Sequence, residues 1–142
     1  MSYDFNADID KFNAMYGLPM PNRPTTVLEP IAIRQPMFKK VLSDEVSEVD
    51  EIIDTAGRDE LEDLVAMADW LGDLVVYATS EARRYGIPLD KVLQIIMQSN
   101  FSKLGADGKP IIAGGKVQKG PSYFKPEPQI KELLQSLMAI EP

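Results

Sequence analysis

The chain has 142 residues, with 15 Lys and Arg against 22 Asp and Glu for a formal net charge of −7, and is 44% hydrophobic, the balance of an ordinary globular domain with a real core. It contains no Cys and no His, which excludes disulfides, thiolate nucleophiles, thiolate or imidazole metal ligands and a Ser-His-Asp triad. Any chemistry must come from carboxylates, Lys, Arg, hydroxyls or a bound ion, and the acidic balance argues against duplex nucleic acid as a partner.

Phe5, Ile9, Phe12 and Tyr16 recur at helical spacing and predict a first helix that Gly17 and Pro19 stop. Residues 18–30, with Pro19, Pro21, Pro24 and Pro30, read as an extended loop. A long second helix is predicted from Pro36, placed in its first turn, to Ala56, with Gly57 as its stop. A third runs from about Asp59 to Tyr85 and ends at Gly86. A fourth opens near Pro88 and ends at Leu104, and Ile130, Leu133, Leu134, Leu137 and Met138 mark a last one. The strand signal is confined to Ile111-Ile112-Ala113 and Lys116-Val117 around Gly114-Gly115, a small hairpin. No internal repeat is present. The expected fold is all-α: a single domain over residues 1–142, a bundle of four to five helices with a short basic, Gly-rich arm.

Charge is unevenly spread. Between Asp44 and Asp63 there are ten acidic residues and one Arg, whereas Gly105 to Pro126 holds Lys109, Lys116, Lys119 and Lys125 against Asp107. Polar residues also fall where burial is expected. On the second helix Phe38, Val41, Leu42, Val46, Val49, Ile52 and Ile53 share one face, Glu45 lands inside it and Glu48 at its edge. The stretch Leu64 to Ser80 carries only two charges, Asp69 and Asp73, four residues apart on one face of a helix that is otherwise apolar nearly all round. Such a helix belongs at the centre of a bundle, and a chain this short has trouble covering it, which points to a homodimer or homotetramer. On the fourth helix Asn100 falls among Leu93, Ile96, Met97 and Leu104, with Lys103 on the flank.

Four carboxylates in a low-dielectric interior need protons, cationic partners or a bound cation. One Lys cannot neutralise four, and oxygen-only ligands favour Mg²⁺ or Mn²⁺ over Zn²⁺. A bundle that keeps buried ion pairs for register is the alternative.

At these residues the sequence resembles the all-α nucleoside triphosphate pyrophosphohydrolases, among them MazG-like enzymes, dimeric dUTPases and phosphoribosyl-ATP pyrophosphohydrolases. Asp44-Glu45-Val46-Ser47-Glu48 resembles their Glu-x-x-Glu, and Ala68-Asp69-Trp70-Leu71-Gly72-Asp73-Leu74 their Glu-x-x-Asp. Ser99-Asn100-Phe101-Ser102-Lys103 resembles their Ser-Asn-x-Ser-Lys, and Asp107-Gly108-Lys109-Pro110 with Gly115 to Tyr123 resembles the tail of the MazG-like and phosphoribosyl-ATP branch. The resemblance spans residues 36–126. It departs at Trp70, which holds the position of a Glu; Asp69, the nearest carboxylate, is turned about 100° away. The resemblance implies Mg²⁺-dependent hydrolysis of a nucleoside triphosphate between the α and β phosphates, giving the monophosphate and pyrophosphate. It implies Glu45, Glu48 and Asp73 as metal ligands ahead of Asp69, with Asp44 behind them and Glu45 or Glu48 orienting the attacking water. Asn100, Lys103, Lys116 and Lys119 would bind phosphate, and Trp70 or Phe101 the base. The other readings are a phosphoribosyl-ATP pyrophosphohydrolase proper and a non-catalytic helical oligomerisation module. With no apolar run near the ~20 residues of a membrane span and no signal-like N-terminus, the expected location is the cytoplasm.

Overall fold

The computed structural model describes residues 2–140 and is all-α apart from one hairpin. Its elements are α1 (Phe5–Met15), α2 (Ile31–Ser47), α3 (Val49–Thr55), α4 (Glu60–Arg84), α5 (Leu89–Phe101), β1 (Ile112–Ala113), β2 (Lys116–Val117) and α6 (Glu127–Met138). They form two compact units, one ending at Gly86 and one starting at Ile87. Among the described residues no helix is long and apolar enough to cross a membrane.

In the first unit α1, α2 and α3 all pack on α4. The ends of α4 are set by its sequence: the Asp59 side chain accepts from the Leu61 and Glu62 N–H groups at 2.9 and 3.2 Å. Glu60, Glu62 and Asp63 fill its first turn and Arg83 and Arg84 its last, matching the helix dipole at both ends. Helix α1 docks through Ile9 and through Asn13, which is fully enclosed. Asn13 Nδ2 donates to the Ser80 carbonyl at 3.2 Å, and Ser80 Oγ donates back to Asn13 Oδ1 at 2.6 Å. A buried amide is tolerated because its donors and acceptors are met.

The second helix departs from the predicted one at both ends. It starts five residues earlier, at Ile31, so that Pro36 lies inside it, and it breaks at Glu48, where α3 takes over. Proline in a helix interior loses a backbone donor and crowds the preceding turn. Tertiary bonds hold that turn in place. Arg34 grips Glu81 of α4 with Nε and Nη2 at 3.0 and 2.8 Å, and Gln35 Nε2 donates to Glu81 Oε2 and to the Tyr85 hydroxyl, both at 2.9 Å. The hydrogen bonds to Glu81 push the Arg34 guanidinium further above its usual range.

The second unit joins α5 to α6. Ser99 Oγ donates to the Phe124 carbonyl at 2.8 Å, and the Phe124 N–H donates to Ser102 Oγ at 3.2 Å. The hairpin forms as expected, with Ile112 opposite Val117 and Ala113 opposite Lys116. Gly114 and Gly115 supply the two positive φ angles, 58° and 75°, that a two-residue turn of this kind requires. Gly120 is needed for a different reason. Its N–H donates to the Lys103 carbonyl at 2.8 Å, and a Cβ there would lie 1.9 Å from the Leu104 carbonyl oxygen. Gly120→Ala is therefore expected to force the segment off the end of α5 and to cost about 2 kcal/mol or more. An unchanged melting curve of that variant contradicts the close approach.

Among the described residues few apolar side chains are fully enclosed: Ile9, Ala82 and Tyr85 in the first unit and Val92 in the second. Leu61, Leu64, Val65, Leu71 and Val75 of α4 stay exposed, as do Ile31, Ile33, Met37 and Val46 of α2. The apolar girth of α4 thus exceeds what the three shorter helices of its unit cover.

Candidate active site: a carboxylate set between α2 and α4

Glu45 is the focus. Its place inside the apolar face of α2 buries it to 7% exposure. Among the described residues, Glu45 Oε1 is the buried side-chain polar atom without a hydrogen-bond partner. Burial pushes its carboxyl above the usual range, and the charges of Glu48, Asp73 and Asp69, together with hydrogen bonding to Glu48, push it further the same way. Three further carboxylates therefore stand near enough to be felt. Glu48 sits exposed at the break between α2 and α3, Asp73 is half-buried on α4, and Asp69 is exposed one turn before it. Asp44 is exposed as well. Among the described residues no three such side chains converge into a ready-made metal cage.

A buried acceptor with no donor, beside other acceptors, is satisfied either by a proton or by a cation. The donor set is oxygen only, which suits a hard ion such as Mg²⁺ or Mn²⁺. The chemistry of the residues present fits such an ion, with the unpartnered Glu45 Oε1 as its first ligand.

Asp73 also borders an open cavity of about 590 Å³ lined from α2, α4 and the C-terminal end of α1 with the residues after it. Phe12, Tyr16, Phe38 and Tyr77 line it, and Arg34 and Glu81 close the side away from Asp73 along α4. Neither Trp70 nor Phe101, the aromatic residues expected at a base pocket, is among its lining. Trp70 instead donates its indole N–H to the Glu45 carbonyl at 2.8 Å, and Phe101 is exposed. The missed lining had a signal in the sequence. Asp69, Asp73, Tyr77 and Glu81 follow one another at four-residue intervals along a single strip of α4.

The remaining predicted site residues lie in the second unit. Asn100 does not sit in an apolar interior as its helical phase suggested; it is exposed, because Leu93, Met97, Phe101 and Leu104 around it are themselves exposed. Lys103 and Lys119 come together over one ring, with their ammonium nitrogens 5.9 and 5.1 Å from the Tyr123 centroid. Lys116 is exposed on β2, in the hairpin.

No family model matches the chain, and no curated protein does. Among solved structures it is similar to a protein of Exiguobacterium sp. 255-15 whose assignment as an NTP pyrophosphohydrolase is itself provisional. The two are 23% identical, the match covers 97% of this chain and 98% of the other, and the TM-score is 0.56. The likeness is one of fold, and it extends over nearly the whole of both chains.

Proposed function

We propose that the chain is a metal-dependent nucleoside triphosphate pyrophosphohydrolase, cleaving between the α and β phosphates to give a nucleoside monophosphate and pyrophosphate. The observation that carries this reading is the orphaned, buried Glu45 carboxylate. Its pKa is raised by burial and by the charges of Glu48, Asp73 and Asp69, and Asp73 borders an aromatic cavity. The likeness of fold supports it. Glu45, Glu48 and Asp73 would hold Mg²⁺ or Mn²⁺, with Asp69 outside them. When bound, the ion supplies charge neutralisation of phosphate oxygens and a lower pKa for water.

The chain's own residues do the rest. Glu48 is exposed and so is placed to orient a water molecule and take its proton. The water oxygen then bonds to phosphorus as the bridging P–O bond breaks and pyrophosphate leaves. Asp73 links this chemistry to the cavity, whose volume lies in the range of small-molecule sites and whose aromatic faces suit a base. The saturated Arg34–Glu81 pair shapes that cavity.

Asn100, Lys103, Lys116 and Lys119 are the candidate phosphate contacts, with Lys103 and Lys119 favoured by their meeting on Tyr123. Lys103→Ala combined with Lys119→Ala is expected to raise KM for the triphosphate about ten-fold or more, the scale of charge-assisted hydrogen bonds, with little change in melting. Unchanged kinetics would remove both residues from the site. The uncovered apolar surface of α4 and α2 supports self-association as a homodimer or homotetramer, which sedimentation of the purified chain tests directly.

A further inference from the structure

Trp70 lies on α4 between Asp69 and Asp73 and is half-buried. The Glu45 carbonyl that receives its indole N–H at 2.8 Å also accepts the Glu48 N–H at 3.2 Å, where α2 gives way to α3. Regular α-helix gives each carbonyl the N–H four residues on. The last carbonyls of a helix need other partners, and Glu45 is among the last four residues of α2. The indole acts as a cap supplied from a different helix. Nothing in the local sequence calls for a break at this point, since residues 41–56 contain neither Gly nor Pro. A carboxylate at position 70 could not make the same bond, because it has no N–H to donate.

We infer that Trp70 is a positioning residue for the carboxylate set: its indole N–H ties the end of α2 to α4 and fixes the α2–α3 break, and with it the placement of Glu48, at the break, and of Glu45, one turn before it, relative to Asp69 and Asp73. The inference rests on the metal-dependent reading of those carboxylates. It assigns Trp70 to the construction of the site and away from the base pocket.

Trp70→Phe keeps the ring and removes the donor, and Mg²⁺ alone is the probe. The variant is expected to bind Mg²⁺ roughly three- to ten-fold more weakly by calorimetry, the equivalent of one net hydrogen bond. In the metal-free protein, amide hydrogen exchange at residues 46–50 is expected to quicken while α1 and α5 are unchanged. Trp70 is the chain's single tryptophan, so the native protein gives one indole N–H resonance. That resonance is expected to shift when Mg²⁺ is added, a readout that needs no variant and survives a Trp70→Phe chain that fails to fold. Unchanged Mg²⁺ affinity in the variant overturns the inference, with or without faster exchange. So does an indole resonance that stays still while calorimetry shows the native chain binding Mg²⁺. A native chain that binds no Mg²⁺ removes the metal reading itself and this role with it, and that result is read before any variant is made.

Discussion

Without divalent cation, Glu45→Gln is expected to melt at a higher temperature than the native chain, while losing about 100-fold or more in kcat/KM with Mg²⁺ present. The two effects have one cause. The folded state holds the Glu45 carboxyl above its ordinary range, through burial first and then through Glu48, Asp73 and Asp69. A carboxyl raised on folding favours the folded chain fully below its unfolded pKa, and that contribution is lost as pH rises through the folded value. The metal-free native chain should therefore lose stability as pH rises from the ordinary carboxylate range through the raised Glu45 value, and Glu45→Gln should flatten that stretch of the profile. Added Mg²⁺ should reverse the order at neutral pH, because a ligand of the native state stabilises it and the amide is the poorer ligand. A Glu45→Gln chain that melts lower than native without metal contradicts the crowded-carboxylate account.

Arg34→Met is the variant expected to cost most in stability, about 3 kcal/mol, or on the order of 10 °C in Tm. It strips Glu81, itself only 7% exposed, of its two guanidinium hydrogen bonds and leaves it the Gln35 amide at 2.9 Å. Arg84 Nε, at 3.6 Å from Glu81 Oε1, is too distant to replace them. The same change releases the turn that carries Pro36, so loss of packing between α2 and α4 adds to the weakened pairing of a buried carboxylate. Removing both partners with Arg34→Met and Glu81→Leu should restore part of the loss, since the stranded carboxylate is then gone. A single variant within about 0.5 kcal/mol of native would mean the pair does not anchor α2.

The part of this structure that was legible in the sequence is the part governed by local rules. Gly17, Gly57 and Gly86 follow α1, α3 and α4, and the hairpin turns at Gly114-Gly115. Glu45 was identifiable as inward-facing because helical periodicity alone places it between Val41 and Val49. What escaped was set by partners far away in the chain. Pro36 reads as a helix start, yet bonds from Arg34 and Gln35 to residues on α4 carry the helix through it. The break at Glu48 has no local marker, and its capping donor arrives from position 70. Asn100 was misplaced for the converse reason: periodicity finds an apolar face but not whether anything covers it, and here Met97, Phe101 and Leu104 are exposed.

Product analysis with a panel of nucleoside triphosphates, with millimolar Mg²⁺ and again with chelator, tests the proposed activity directly. A metal-dependent pyrophosphohydrolase gives the monophosphate and pyrophosphate in equal amounts, no orthophosphate, and no product once the metal is chelated. Release of orthophosphate, or pyrophosphate release that chelator leaves untouched, would contradict that activity, as would a purified, folded chain that consumes none of the nucleotides with Mg²⁺ or Mn²⁺.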